Sequence, residues 1–166
     1  MLPEQLELEF DYEIRLTFQC SDSVPDASTA TVELLPENHS LKHGKPRGYL
    51  SKGPSPTEGL FKVFQAAIAE DAAQSSATAL VRRAGQLWSA AQRLRGELRL
   101  VNLRYPIKYS MAPESDVLAA NVIVLLPEMR CKAEVTFMAT ATILREWPRS
   151  VASIEVSAKT IYGTAE

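Results

Sequence analysis

Leu6-Glu7-Leu8-Glu9-Phe10-Asp11-Tyr12-Glu13-Ile14-Arg15-Leu16-Thr17-Phe18-Gln19-Cys20 alternates apolar and polar residues almost without a break. A period of two marks a β-strand with one buried and one solvated face, because successive side chains leave opposite faces of the pleat. As one straight strand the stretch would span about 50 Å, whereas strands run about 3–10 residues, so it has to bend or fold back. A two-residue hairpin at Asp11-Tyr12 would set Phe10 opposite Glu13 and mix the faces, so parity excludes it. A long coiled strand, or a hairpin with an odd-numbered loop, keeps the faces pure. No Gly, Pro or Asn marks a turn, which favours the coiled strand.

Downstream, Ser21 to Ser28 reads as a polar loop and Thr29 to Leu35 as a second strand. Pro36 to Pro56 is rich in Gly, Pro, Lys and His and reads as a long surface loop. Ser55, Pro56 and Glu58 then spell a helix start: a capping serine, a proline at the first helical position and the acid of a capping box. This helix runs to about Ala73, with Leu60, Phe61, Phe64, Ala67 and Ile68 as its buried stripe. A longer helix follows, on which Leu80, Ala84, Leu87, Ala91, Leu94, Leu98, Val101 and Tyr105 recur at alternating gaps of four and three. Trp88, Leu100 and Leu103 widen that stripe into a core face rather than a coiled-coil seam. Pro106 ends the helix by forcing Tyr105 toward an extended conformation. Gly85 and Gly96 weaken it by about 1 kcal/mol each relative to alanine and suit close backbone packing.

The remainder reads as antiparallel strands: Ile107 to Met111, Val117 to Leu126 stopped by Pro127, Cys131 to Thr140, and Ser153 to Tyr162 after a Trp147-Pro148 turn. Strands, two helices, then strands is an α+β order rather than alternating α/β. The chain has 166 residues, and a domain of that size buries roughly 70% of the surface its unfolded form exposes. Division into subdomains 1–75 and 76–166 with a shared core is the expected organisation.

Composition narrows the function classes. A formal charge of −2 argues against a general nucleic-acid binder. No apolar run approaches the roughly 18 residues a membrane span needs, and no signal-peptide pattern opens the chain. The two cysteines, Cys20 and Cys131, lie far apart on strand-like segments and read as small buried hydrophobes, which fits a reducing intracellular compartment. His39 and His43 are four apart, but Pro36, Gly44 and Pro46 place them in a loop, where that spacing loses its metal-binding geometry. No phosphate loop, dinucleotide fingerprint or nucleophile elbow occurs. The row Glu7, Glu9, Asp11, Glu13 reads as a solvated strand face, not a catalytic pair. No catalytic residue, cofactor or metal is expected.

Charge is nonetheless uneven. The long helix carries Arg82, Arg83, Arg93, Arg95, Arg99 and Arg104 against Glu97, and the loop holds Lys42, Lys45, Arg47 and Lys52. Three readings stand: a solvated face, a dock for an acidic partner, or an internal match for the acidic strand row. Arg145, Trp147 and Arg149 cluster in a turn, the aromatic-plus-arginine composition enriched at binding hot spots, and Trp147 reads equally as a core plug.

Four segments together carry a family resemblance: Leu98-Arg99-Leu100-Val101-Asn102-Leu103-Arg104-Tyr105-Pro106, Val124-Leu125-Leu126-Pro127, Lys132-Ala133-Glu134-Val135-Thr136-Phe137, and Ile154-Glu155-Val156-Ser157-Ala158-Lys159-Thr160-Ile161-Tyr162-Gly163. This half of the chain resembles the C-terminal region of the fungal-type kinetochore scaffold family, whose animal relatives are called blinkin. The resemblance implies an RWD-like α+β fold, antiparallel sheets packed against two central helices. With no helix before Leu6 and little chain after Gly163, the expected form is a tandem or partly truncated RWD pair. It further implies a non-enzymatic docking module in the nucleus, at the kinetochore, anchoring the scaffold to the Mis-twelve complex, with a Zwint-like partner on a preceding coiled coil. No direct nucleic-acid or membrane contact is implied. RWD domains resemble ubiquitin-conjugating enzymes in fold, but the His-Pro-Asn signature of that chemistry is missing here. The alternatives are a carrier of a small apolar ligand, or an RWD domain of another kinetochore or ubiquitin-related protein.

Overall fold

The computed structural model describes residues 4–22, 24–36, 54–111, 116–147 and 154–163. The opening alternation is a hairpin, not a coiled strand. β1 (Gln5–Phe10) pairs antiparallel with β2 (Ile14–Ser21), Phe10 facing Ile14, Leu8 facing Leu16 and Leu6 facing Phe18. Three residues make the loop, which is the odd number that parity requires. Asp11 and Tyr12 both take positive φ, 51° and 56°, and the Glu13 N–H donates to the Phe10 carbonyl at 3.0 Å. Two left-handed central residues match the right-handed twist of the flanking strands. Neither is glycine or asparagine, which is why the turn is silent in the sequence.

β2 is the middle strand. On its other side lie the two-residue β3 (Val24–Pro25) and β4 (Thr31–Leu34). A short 3-10 turn at Ala27–Thr29, capped by Asp26, takes the place of the expected strand start. Ile14, Leu16 and Phe18 are fully buried. On the outer face Arg15 sits among the acids, 2.9 Å from Glu9, 3.6 Å from Glu7 and 3.7 Å from Glu33. Glu9 and Glu33 are its direct cross-strand neighbours, so the sheet itself supplies one cation to Glu7 and Glu9 of the acidic row.

α1 (Pro56–Ala72) begins with the capping box, Ser55 accepting from the Glu58 N–H and Glu58 from the Ser55 N–H. α2 (Ala77–Asn102) is capped by Ser76. The two helices are shared by both sheets. A Cβ on Gly85 would meet the Phe10 ring at 3.3 Å, so α2 lies close on the hairpin; Gly96 has open space around it. Gly59 of α1 does the same for the second sheet: a Cβ there would come within 2.5 Å of Leu118 Cδ1. Trp88, buried between the helices, stacks edgewise on Phe64 at 5.3 Å and Phe61 at 6.4 Å. The stripe of α2 is buried or half-buried through Leu98, but Leu100 and Val101 near its end, and Leu103 and Tyr105 in the turn that follows, are exposed.

The second sheet has the order β5 (Ile107–Met111), β6 (Leu118–Leu126), β7 (Cys131–Ala139), β8 (Glu155–Tyr162), all antiparallel. Its buried face uses Ile107, Leu118, Ala120, Val122 and Ala139. The far face is polar in part, with Thr136 donating to its cross-strand neighbour Asn121 at 2.7 Å. β8 is an edge strand and every residue in it is exposed. Between β7 and β8 the chain forms a third helix, α3 (Ala141–Glu146), capped by Thr140, where the sequence suggests only a turn. One buried cluster joins both sheets and all three helices. The protein is thus α+β, with antiparallel sheets and three helices.

Candidate functional site

α3 is too short to cover α2, and its placement beside it opens a groove of about 650 Å³. One wall is the α2 row that carries Arg82, Gln86, Ser89 and Arg93; the other is Leu144, Arg145 and Trp147. Arg145 and Trp147, expected together from the sequence, do meet here. Arg149 lies outside the described residues, as do the loop cations Lys42, Lys45, Arg47 and Lys52 and the two histidines.

Arg145 is fixed from behind. Its Nη2 donates to Glu70 Oε2 at 2.7 Å, Asp71 Oδ1 at 3.2 Å and the Ala67 carbonyl at 3.4 Å. Burial alone would lower its pKa, but the Glu70 and Asp71 carboxylates outweigh that and raise it, so it stays charged. Arg83 Nη1 reaches the same Asp71 Oδ1 at 3.3 Å. Asp71 is the one buried charged residue among those described, and its Oδ2 has no hydrogen-bond partner there. Two guanidinium groups thus converge on one buried carboxylate, which locks the C-terminal end of α1 to α2 and α3. Arg82 and Arg93 are different. Both are exposed, and among the described residues neither has an acidic partner.

Trp147 is half-buried and works on two sides. It lines the arginine groove and also borders an apolar seam of about 180 Å³ between α2 and the second sheet, lined by Leu94, Leu98, Phe137 and Ile143. Its backbone N–H donates to the Ile143 carbonyl at 2.8 Å, so the end of α3 holds it in place.

The internal match between arginine helix and acidic row holds for one pair. Arg95 Nη2 binds Glu13 at 2.8 and 3.1 Å, and Gln92 adds a third hydrogen bond at 3.1 Å. Burial would raise the Glu13 pKa; the hydrogen bonds from Arg95 and Gln92 overcome it and hold the carboxyl below its ordinary value. Arg95 therefore fastens the hairpin loop to α2 and is spent on structure.

The sequence singled out the α2 arginines without separating these jobs. Eleven residues part Arg82 from Arg93, close to three full turns, so a shared face was readable. The wall opposite was not, since α3 and its docking are tertiary. No helix among the described residues is long and apolar enough to cross a membrane. No protein-family model matches the chain, and no curated protein matches it in sequence.

Proposed function

We propose that this chain is a non-enzymatic protein–protein docking module with an RWD-like fold. In this reading it is the end of a blinkin-type kinetochore scaffold that anchors to the Mis-twelve complex in the nucleus, within the network that supports chromosome segregation and checkpoint signalling. The observation that carries the docking part is the groove. A rigidly held arginine, a half-buried tryptophan and two exposed arginines with no acidic partner among the described residues line one open cleft, and buried aromatic and arginine anchors dominate binding energy at protein interfaces. The kinetochore part rests on the motif series from Leu98 to Gly163. Its segments close a helix at Asn102, end a strand at Leu126 and form the last two strands of one sheet, an arrangement compatible with an RWD unit.

Two observations weigh against the other classes. Cys131 is buried at the start of β7 and Cys20 is half-buried on β2, neither in the exposed electropositive setting of a reactive thiol. The apolar seam, at about 180 Å³, is smaller than the roughly 300–1,000 Å³ of small-molecule pockets. Size-exclusion chromatography of the purified chain with the Mis-twelve complex tests the proposal. Co-elution at micromolar concentration, weakening as salt rises, is expected; independent elution in moderate salt refutes the kinetochore assignment.

A further inference from the structure

We propose that the groove between α2 and α3 receives an extended, acidic protein segment whose carboxylate side chains stand four to six residues apart, one paired with Arg82 and one with Arg93. The inference rests on the docking reading and specifies the partner chemistry at the same site.

The spacing comes from the helix. Arg82 and Arg93 lie eleven residues apart on one row of α2, about 16 Å at 1.5 Å per residue. Side chains on one side of an extended chain recur about every 6.6 Å, so positions i and i+4 or i and i+6, about 13 or 20 Å apart, bracket that distance. The flexible arginine side chains close the difference. Between the two cations the same row offers Gln86 and Ser89, uncharged donors and acceptors suited to a peptide backbone. Trp147 on the opposite wall presents an apolar ring to side chains between the acids.

The arrangement favours carboxylates over phosphate. A phosphate group is gripped where several guanidinium groups converge. The one convergence among these residues, Arg83 with Arg145, is already filled by Asp71 Oδ1. What remains is two separated single charges. Single-stranded nucleic acid fits less well still, because it needs a continuous basic track with stacking aromatics, whereas the outer face of the first sheet is rich in Glu7, Glu9 and Glu33.

The test is an NMR titration of the whole chain with a short synthetic peptide carrying glutamates at i and i+4 around a central leucine. Its isomer with the glutamates adjacent, and a thymidine oligonucleotide, serve as the other probes. The spaced peptide should shift resonances of residues 82–93 and 141–147 and bind more tightly than either. Arg82→Ala or Arg93→Ala should each weaken it about fivefold, and both together about 25-fold. Equal binding of the two isomers, insensitivity to the arginine changes, tighter oligonucleotide binding, or no shifts at about 5 mM peptide would overturn the inference. Co-elution of the doubly substituted chain with the Mis-twelve complex separates the two claims. If that chain still co-elutes undiminished while the peptide fails, the occupant is wrong and the docking reading stands; if the unsubstituted chain does not co-elute, the kinetochore reading falls on its own.

Discussion

Replacing Asp11-Tyr12 with Asn-Gly should stabilise the protein, and the sign of the effect depends on the hairpin. Asp11 and Tyr12 sit at φ 51° and 56°, a region that costs an ordinary L-residue about 1–2 kcal/mol. Glycine is free of that cost, though its greater freedom in the unfolded chain takes back about 0.5–1 kcal/mol. Tyr12 is 83% exposed, so its removal forfeits little packing. Asn tolerates the left-handed region well, and the gain at Asp11 is a few tenths of a kcal/mol. The net gain is about 1 kcal/mol, which for a urea slope of about 2 kcal/mol per molar raises the midpoint by about 0.5 M. Fluorescence of the core Trp88 reads the transition, and the slope should stay unchanged. In a continuous coiled strand the same glycine would lie mid-strand and cost about 0.5–1 kcal/mol. A lowered or unmoved midpoint would refute the turn geometry.

Other consequences follow from the same contacts. Because the folded Glu13 pKa is depressed, its contribution is fully present above the ordinary glutamate value of about 4.3 and is lost as pH falls through the lower folded value. Urea midpoints of wild type and Glu13→Gln should therefore differ at neutral pH and converge in acid; a pH-independent difference would contradict the Arg95 pairing. Gly163 has φ +93°, and a Cβ there would sit 2.7 Å from the Arg130 carbonyl oxygen and 2.8 Å from Cys131 Cα. Gly163→Ala should cost about 1–3 kcal/mol and speed amide exchange along β8; unchanged exchange would exclude this closure of the edge strand.

Legibility in the sequence tracked how local the determinant was. The Ser55–Glu58 capping box and the Pro127 stop are local chemistry and took their expected places, as did the α+β order, whereas α2 ends at Asn102, ahead of Pro106, with residues 103–105 in a turn. Parity at Phe10 and Glu13 excluded an even loop because the period of two leaves no alternative, yet it was silent between an odd loop and a coiled strand. The deciding feature is the left-handed pair Asp11-Tyr12, and those residue types advertise no such turn. α3 was missed because its six residues are too few to display a helical period, leaving Thr140 as the lone cap signal. The exposure of Leu100 and Leu103 was invisible for a different reason: a heptad pattern says which residues share a face, not whether anything packs on it. The same limit applied to the site. Arg145 and Trp147 were readable as a cluster, whereas sorting Arg82 and Arg93 from Arg95 required knowing that Glu13 lies under one of them.

Hydroxyl-radical footprinting of the chain, alone and with the Mis-twelve complex, bears most directly on the docking claim. Trp147 is half-buried at the groove, while Tyr12 and Leu103 are 83% and 82% exposed elsewhere. The account predicts that complex formation protects Trp147 and leaves Tyr12 and Leu103 as reactive as before. An unchanged Trp147, with protection instead at Leu103 or along Val156 and Tyr162 of β8, would contradict it.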